Sequence, residues 1–245
     1  MESPEINVIS LARTPDRLKS FRENNSWLED FEIFSAVDGS QLTETEMLEI
    51  GLITKDLNYR TGALGNALSH QALWEKAIRI NRPLTICEDD AILHSKFSEK
   101  SNNLMADLSE AWDLIVWGWN FDSILQIDMP GGLGHCLMTF DQNELRKNFE
   151  FFNRSKIDPT LFKFRHAFGT VAYTISPQGA RKMLSATRPI TKFDVYFPGL
   201  SRTLSNVALD ITMNAFYKDS NCYVSYPPLV ITQNDASTST VQEKH

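Results

Sequence analysis

The stretch Pro83-Leu84-Thr85-Ile86-Cys87-Glu88-Asp89-Asp90-Ala91-Ile92-Leu93 limits what this chain can fold into more than any other segment. An apolar, β-rich run ends on three successive carboxylates and then turns apolar again, which reads as a buried strand of an α/β sheet with a site at its end. Three adjacent acidic side chains repel one another, and their pKa values rise unless a cation or a basic ligand compensates them. Carboxylate oxygens are hard ligands, suited to Mg²⁺ or Mn²⁺ together with phosphates rather than to zinc. An isolated acidic triplet is also what a solvated turn looks like, so its neighbours must decide.

The neighbours alternate strand and helix. Ile6–Leu11 reads as a strand, followed by a helix with Thr14 as its cap and Pro15 at its first position. Phe31–Ala36 reads as a second strand, ending at the turn dipeptide Asp38-Gly39. From Gly62 to Ile80, Leu64, Ala67, Leu68, Ala72, Trp74, Ala77 and Ile78 follow helical spacing, and the acidic strand comes next. Asp113–Trp119 is apolar on both faces, as a central strand is, and is expected beside the acidic strand. Between Phe121 and Lys163 periodicity weakens, and Pro130-Gly131-Gly132-Leu133-Gly134 reads either as a flexible cover for a site or as an ordinary surface loop. Gly169–Ile175 reads as another strand, and Ser176-Pro177 as the start of a helix. Phe216–Leu229 holds a last strand and a Pro-Pro turn, and residues 234–245 form a polar C-terminal tail.

With 245 residues, 42% of them hydrophobic, the chain is long enough to bury one sizeable α/β core. A net charge of -7 excludes a general nucleic-acid binder. Cys87, Cys136 and Cys222 are odd in number, far apart and without a CxxC pair, which argues against a disulfide framework and fits a reducing cytosol. The first twenty residues lack a secretory pattern, and no run of about 18 apolar residues occurs. The expectation is a cytoplasmic protein, at most peripheral at the inner face of the cytoplasmic membrane, with nothing bearing on its oligomeric state.

Several segments together resemble the family 25 glycosyltransferases, which build bacterial lipooligosaccharide and include collagen galactosyltransferase domains. VISLARTPDRL at 8–18, AVDG at 36–39, GALGNALSHQALWEKA at 62–77, EDDAIL at 88–93, GTVAYTISPQGARKML at 169–184 and YPPLVITQ at 226–233 follow the family's order and spacing. The resemblance implies a GT-A-like nucleotide-diphospho-sugar transferase fold with a mixed central sheet flanked by helices. It places a nucleotide-sugar-binding half at residues 1–120 and an acceptor-binding half of the same domain at 121–233. It also implies a UDP-sugar donor, a lipooligosaccharide or other glycan acceptor, and a Mn²⁺ or Mg²⁺ ion.

Residue roles follow from that implication together with the chemistry. Asp90 is assigned to the metal, and Glu88 to the metal or the donor ribose, the two pointing to one side if the backbone is extended. Asp89, Leu11, Arg13, Asp38, Gly39, Ser69 and His70 are donor-side candidates, several of them in loops where open α/β sheets place ligands. Asp210 is chosen as the base for the acceptor hydroxyl, because an acidic residue in an apolar helical context carries a desolvation cost. Asp194 is the second candidate for the base. Gly169, Thr170 and Trp119 are expected on the acceptor side, with Trp117 and Trp119 sharing one strand face. The reading is thus a metal-dependent inverting transferase of a hexose, with galactose taken from the family's habit. Two rivals remain: a catalytically inactive nucleotide- or glycan-binding homologue, and a metal-dependent phosphohydrolase.

Overall fold

The computed structural model describes residues 3–235 of the chain. β1 (Glu5–Ser10) leads through a short loop into α1 (Pro15–Asn24), with proline at the first helical position. Thr14 stands at the cap position, but its hydroxyl donates to the Leu11 carbonyl (3.1 Å) instead of capping the helix. β2 (Glu32–Ser35), a 3-10 turn at Gly39–Gln41 and α2 (Glu44–Glu49) follow, before the twenty-residue α3 (Thr61–Ile80). β3 (Leu84–Glu88) is separated by a two-residue turn from β4 (Ala91–Leu93), and α4 (Phe97–Asp107) leads into β5 (Leu114–Gly118).

The weakly periodic region is ordered. It forms β6 (Ile124–Asp128), β7 (His135–Thr139), α5 (Gln142–Asn148) and β8 (Thr160–Ala167). β9 (Ala172–Ile175) precedes α6 (Pro177–Thr187), whose cap Ser176 accepts from the Gly179 amide. The hairpin β10 (Asp194–Phe197) and β11 (Arg202–Ser205), then α7 (Leu209–Tyr217), β12 (Cys222–Tyr226) and β13 (Val230–Thr232) complete the described chain. Of the expected polar tail, residues 236–245 lie outside the described residues.

Nine strands form one mixed sheet in the order β2-β1-β3-β9-β5-β12-β8-β6-β7. β1 runs parallel to β2 and β3, whereas β9 is antiparallel to both β3 and β5. The central strand β5 therefore does not lie beside the acidic strand as expected. β9, contributed from much later in the chain, is inserted between them and pairs with both. The expected architecture, a mixed central sheet flanked by helices, is what the chain adopts.

Two apolar layers cover the sheet. On one face Leu64, Leu68 and Trp74 of α3 pack with Ile86, Val116 and Ile175, and on the other Val8, Cys87 and Trp117 pack with Phe97 of α4. Trp117 and Trp119 fall on opposite faces, contrary to the sequence expectation, because the pairing register of β5 with β9 shifts between Val116 and Gly118. A bulge of this kind reverses the alternation of side chains. Gly118 is required there: a Cβ would sit 2.3 Å from the Val230 carbonyl oxygen of β13.

Candidate functional site

β1, β2, β3 and β5 all point the same way, so their carboxyl ends share one edge of the sheet, where open α/β folds place their ligands. A polar cavity of about 250 Å³ opens there. The loop after β1 gives Leu11 and Arg13, the loop after β2 gives Asp38 and Gly39, and the end of β3 gives Glu88, Asp89 and Asp90. Asn120 follows β5, and the antiparallel β9 brings Gly169 and Thr170 in from the same edge. Asp210 closes the far side from the first turn of α7.

The helix α3 is fitted to this edge by its spacing. Gly62, Gly65, Asn66, Ser69 and His70 recur at one-turn intervals, so they share a face. Gly65 and Gly39 let backbone meet backbone: a Cβ on Gly65 would lie 2.4 Å from the Val37 carbonyl oxygen, and one on Gly39 would lie 1.8 Å from that of Thr61. With the two segments that close, the Ser69 hydroxyl accepts from the Val37 amide (2.8 Å) and donates to the Gly65 carbonyl (2.7 Å). This fixes the turn carrying Asp38, whose carboxylate accepts from Ser40 and pairs with Arg13 at 3.1 Å. Those Ser40 bonds, with Arg13 adding, hold Asp38 below the usual aspartate range.

The three carboxylates do three different things. The backbone turns at Asp89-Asp90 instead of continuing extended, so the side chains diverge. Glu88 points toward α3 and β9: its Oε1 accepts from Asn66 (3.1 Å) and from the Thr170 hydroxyl, and lies 3.6 Å from His70 Nε2. Burial alone would raise its pKa, but the facing His70, then Thr170 and Asn66, bring it down to about 2. Asp89 is clasped by Arg17, with Nη2 and Nε at 2.6 and 2.7 Å from Oδ1, although burial still leaves its pKa raised. Asp90 is the least compensated. Burial and the charge of Glu88 push it up to about 7 against the pull of Arg17, whose Nη2 is 3.5 Å from Oδ2, and Oδ1 is buried without a hydrogen-bond partner.

Asp210 accepts from the amides of Gly169 (3.0 Å) and Ile211 (2.9 Å). It thus holds a helix N-terminal position and a place in the cavity at once. Burial, with the charge of Glu88 adding, raises its pKa in spite of both amides. Gly169 is needed at φ +85°, where a Cβ would meet Asn120 at 2.5 Å.

Leu11, Arg13, Asp38, Gly39, Ser69, Glu88, Asp89, Asp90, Gly169, Thr170 and Asp210 therefore converge on one cavity. His70 stands behind it, fully buried. Two candidates lie elsewhere. Trp119 is buried among Phe121, Phe140 and Tyr226, so it offers no face to a sugar. Asp194 belongs to the β10–β11 hairpin, accepts from the Ser205 hydroxyl (2.6 Å) and does not line the cavity. The Pro130–Gly134 segment is the turn between β6 and β7 and likewise does not line it.

Arg17, Asn66, Asn120 and the Asn234-Asp235 pair also line the cavity and were not anticipated. Arg17 had a signal. It lies in the first turn of α1, on a rigid element, whereas Arg13 sits in the loop and is half exposed. Asn66 had one too, being one helical turn before His70. No group of three or more His, Cys, Asp or Glu side chains arranged to hold a metal occurs among the described residues.

Comparison with known proteins adds an independent line. The sequence profile described as "Glycosyltransferase family 25 (LPS biosynthesis protein)" matches residues 3–198. A glycosyltransferase 25 family member of Anopheles gambiae is 26% identical over 210 residues, covering 79% of this chain and 31% of that protein. The inactive glycosyltransferase 25 family member 3 of Homo sapiens is 27% identical, covering 77% and 29%. Procollagen galactosyltransferase 1-A of Xenopus laevis is 25% identical, covering 78% and 30%. The chain thus spans about a third of the length of these curated relatives.

Proposed function

Because the chain belongs to glycosyltransferase family 25, we propose that it moves a hexose, galactose in this reading, from a UDP-sugar to a saccharide acceptor with inversion. Lipooligosaccharide is the proposed acceptor and the cytoplasm the proposed compartment, with attachment to the membrane at most peripheral. Among the described residues no helix is long and apolar enough to cross a membrane, and the three cysteines are free.

The observation that carries this reading is that Asp90 and Asp210 line one polar cavity. Both carboxyls have raised pKa values, both are raised in part by Glu88, and Asp90 Oδ1 has no partner. A buried carboxylate oxygen without a partner fits a cation, and Asp90 with Glu88 would hold it. Two protein carboxylates are what Mg²⁺ commonly takes when phosphate oxygens and water complete its shell, so the small ligand set does not count against the fit. When bound, the ion stabilises negative charge on the departing diphosphate as a Lewis acid.

The chain's own residues do the rest. Arg13, half exposed at the cavity, pairs with phosphate oxygens. Arg17 clasps Asp89 and so occupies one carboxylate of the three. Asn66 and Asn120 offer amide donors and acceptors to sugar or ribose hydroxyls. Asp210 takes the proton of the attacking acceptor hydroxyl, and its raised pKa makes it a better base than an ordinary aspartate.

A screen of UDP-hexoses for UDP release that depends on added glycan acceptor tests the reading. Release without acceptor, as free phosphate from simple esters, would favour the phosphohydrolase instead. Relatives whose names call them inactive favour a second reading, a homologue that binds nucleotide or glycan without catalysis. That reading predicts UDP binding by calorimetry with no release from any hexose.

A further inference from the structure

Behind the cavity, Trp74 and His70 of α3 and Tyr173 of β9 form a buried line that ends on Glu88 of β3, and the transfer chemistry above uses Glu88 but none of the three side chains behind it. Trp74 Nε1 donates to the Tyr173 hydroxyl at 2.8 Å, and that hydroxyl lies 2.7 Å from His70 Nδ1. The other ring nitrogen, His70 Nε2, lies 3.6 Å from Glu88 Oε1 and has no hydrogen-bond partner. Trp74, His70 and Tyr173 are all at most 2% exposed, so water is not at hand to alter the pairing.

Counting protons fixes the direction of this line. An indole nitrogen can only donate, so the Tyr173 oxygen accepts from Trp74. The single proton of that hydroxyl then needs an acceptor, and among the described residues the one within hydrogen-bonding distance is His70 Nδ1. A neutral imidazole carries one proton; with Nδ1 accepting, that proton is on Nε2, toward the Glu88 carboxylate. At 3.6 Å the contact is long for a hydrogen bond, and polar contacts in ligand-free sites commonly tighten when the ligand arrives.

We infer that Tyr173, itself outside the cavity, is a positioning residue that locks His70 in the Nε2–H tautomer so that it donates to Glu88. The inference rests on the transferase reading for its consequence, but its geometry is independent of that reading. Three donors, from Asn66, Thr170 and His70, then converge on one oxygen of Glu88. They hold the carboxylate at the cavity in a single orientation, which is how supporting hydrogen bonds orient a working ligand. Tyr173→Phe removes the donor to Nδ1 while keeping the ring, and so frees the imidazole to take either tautomer. Trp74→Phe leaves the Tyr173-to-His70 bond in place.

The test is the histidine side-chain nitrogen spectrum of nitrogen-15-labelled, ligand-free protein near neutral pH, with His70→Gln assigning the signal. The expected result is a neutral ring protonated on Nε2 in the wild type and in Trp74→Phe, and a mixture of tautomers in Tyr173→Phe. Turnover in Tyr173→Phe should fall by about 10- to 100-fold, the usual cost of losing such a supporting bond. An Nδ1–H tautomer or an imidazolium in the wild type overturns the inference. So does a Tyr173→Phe protein whose ring spectrum and turnover per folded molecule are unchanged, the result expected if Tyr173 only fills space. If the wild type releases no UDP from any donor, the transferase reading fails while the ring spectrum still decides the lock. If Tyr173→Phe does not fold, the wild-type and Trp74→Phe spectra decide it.

Discussion

Two regions of this molecule handle glycine and polar side chains in opposite ways. Around α3 and the strand ends, glycines mark places where backbone touches backbone, and polar groups point inward: Gly65 against Val37, Ser69 on the Val37 amide, Asn66 on Glu88. In the β6–β7 turn the glycines have nothing nearby, and polar groups on β6 and β8 and in the β10–β11 hairpin pair beside solvent. Gly131 and Gly132 adopt φ +71° with open space where a Cβ would go, and Arg165 meets Asp128 at 2.7 Å with both side chains about 40% exposed. The first region is specified by close approach and the second by turn geometry, so function should be brittle in one and tolerant in the other.

The largest break should come at Asp90. Asp90→Ala removes the carboxylate that has the strongest unmet need for a cation, and transfer should fall on the order of 10³-fold, the upper scale for losing one electrostatic partner at a reacting charge. Chelation of the native protein should do the same. Initial rates with UDP-sugar and acceptor check both, and full activity after EDTA and dialysis would remove the metal from the reading.

Asp210→Asn comes next. It keeps the shape and the acceptor for the Gly169 amide but cannot take a proton, so turnover should fall about 10²-fold while UDP affinity by calorimetry stays near native. The pH profile carries the sign. Burial raises the Asp210 pKa, so the rate should rise with pH through a value above the ordinary aspartate range. In the same direction, a carboxyl whose folded pKa is raised stabilises the fold below its unfolded pKa and loses that contribution as pH rises through the folded value. Asp210→Asn should therefore flatten the decline of melting temperature with rising pH, and a steeper decline would contradict the burial that makes it a base.

This contrast also explains what the sequence could tell. β1, α1, β2, α3, β5 and the acidic end of β3 were legible, because apolar periodicity and motif spacing there serve one buried edge, whereas α2 and α4 were not read. The insertion of β9 between β3 and β5 was not, since strand order depends on pairing between distant segments that no local pattern records. Trp119 was misplaced because one bulge at Gly118 reverses the faces, and a bulge leaves little trace beyond a glycine. Between Phe121 and Lys163 the sequence reads as weakly periodic, yet β7 alternates partly buried Cys136 and Met138 with exposed neighbours. Five residues of alternation in an edge strand are too few to stand out against the flanking turn.

Glycine replacements sharpen the comparison at intermediate effect. Gly65→Ala places a Cβ 2.4 Å from a backbone oxygen, and neither helix nor turn can yield without moving Ser69 or Asp38; a loss of about 1–3 kcal/mol is expected, with weaker UDP binding. Gly131→Ala meets no atom and carries only the cost of a left-handed conformation, about 1 kcal/mol, with transfer unchanged. Denaturant melts with UDP titrations separate the two, and equal loss of binding in both would erase the distinction between the regions.

The smallest effect is expected at Asp194, the carboxylate that sequence reasoning placed beside Asp210. It lies in an exposed hairpin, takes one hydrogen bond from Ser205 across the strands, and is absent from the cavity. Nothing about it is strained or shielded from water, so Asp194→Asn should change stability by less than about 1 kcal/mol, as for other exposed polar pairs. Turnover and acceptor KM should each stay within about twofold, well below the general-base scale of 10² or more. Full initial-rate curves against acceptor on Asp194→Asn and Asp210→Asn, measured together, decide the matter. A collapse of turnover in Asp194→Asn with near-native rates in Asp210→Asn would mean that the hairpin folds over the cavity during reaction, and that the tolerant region is the catalytic one.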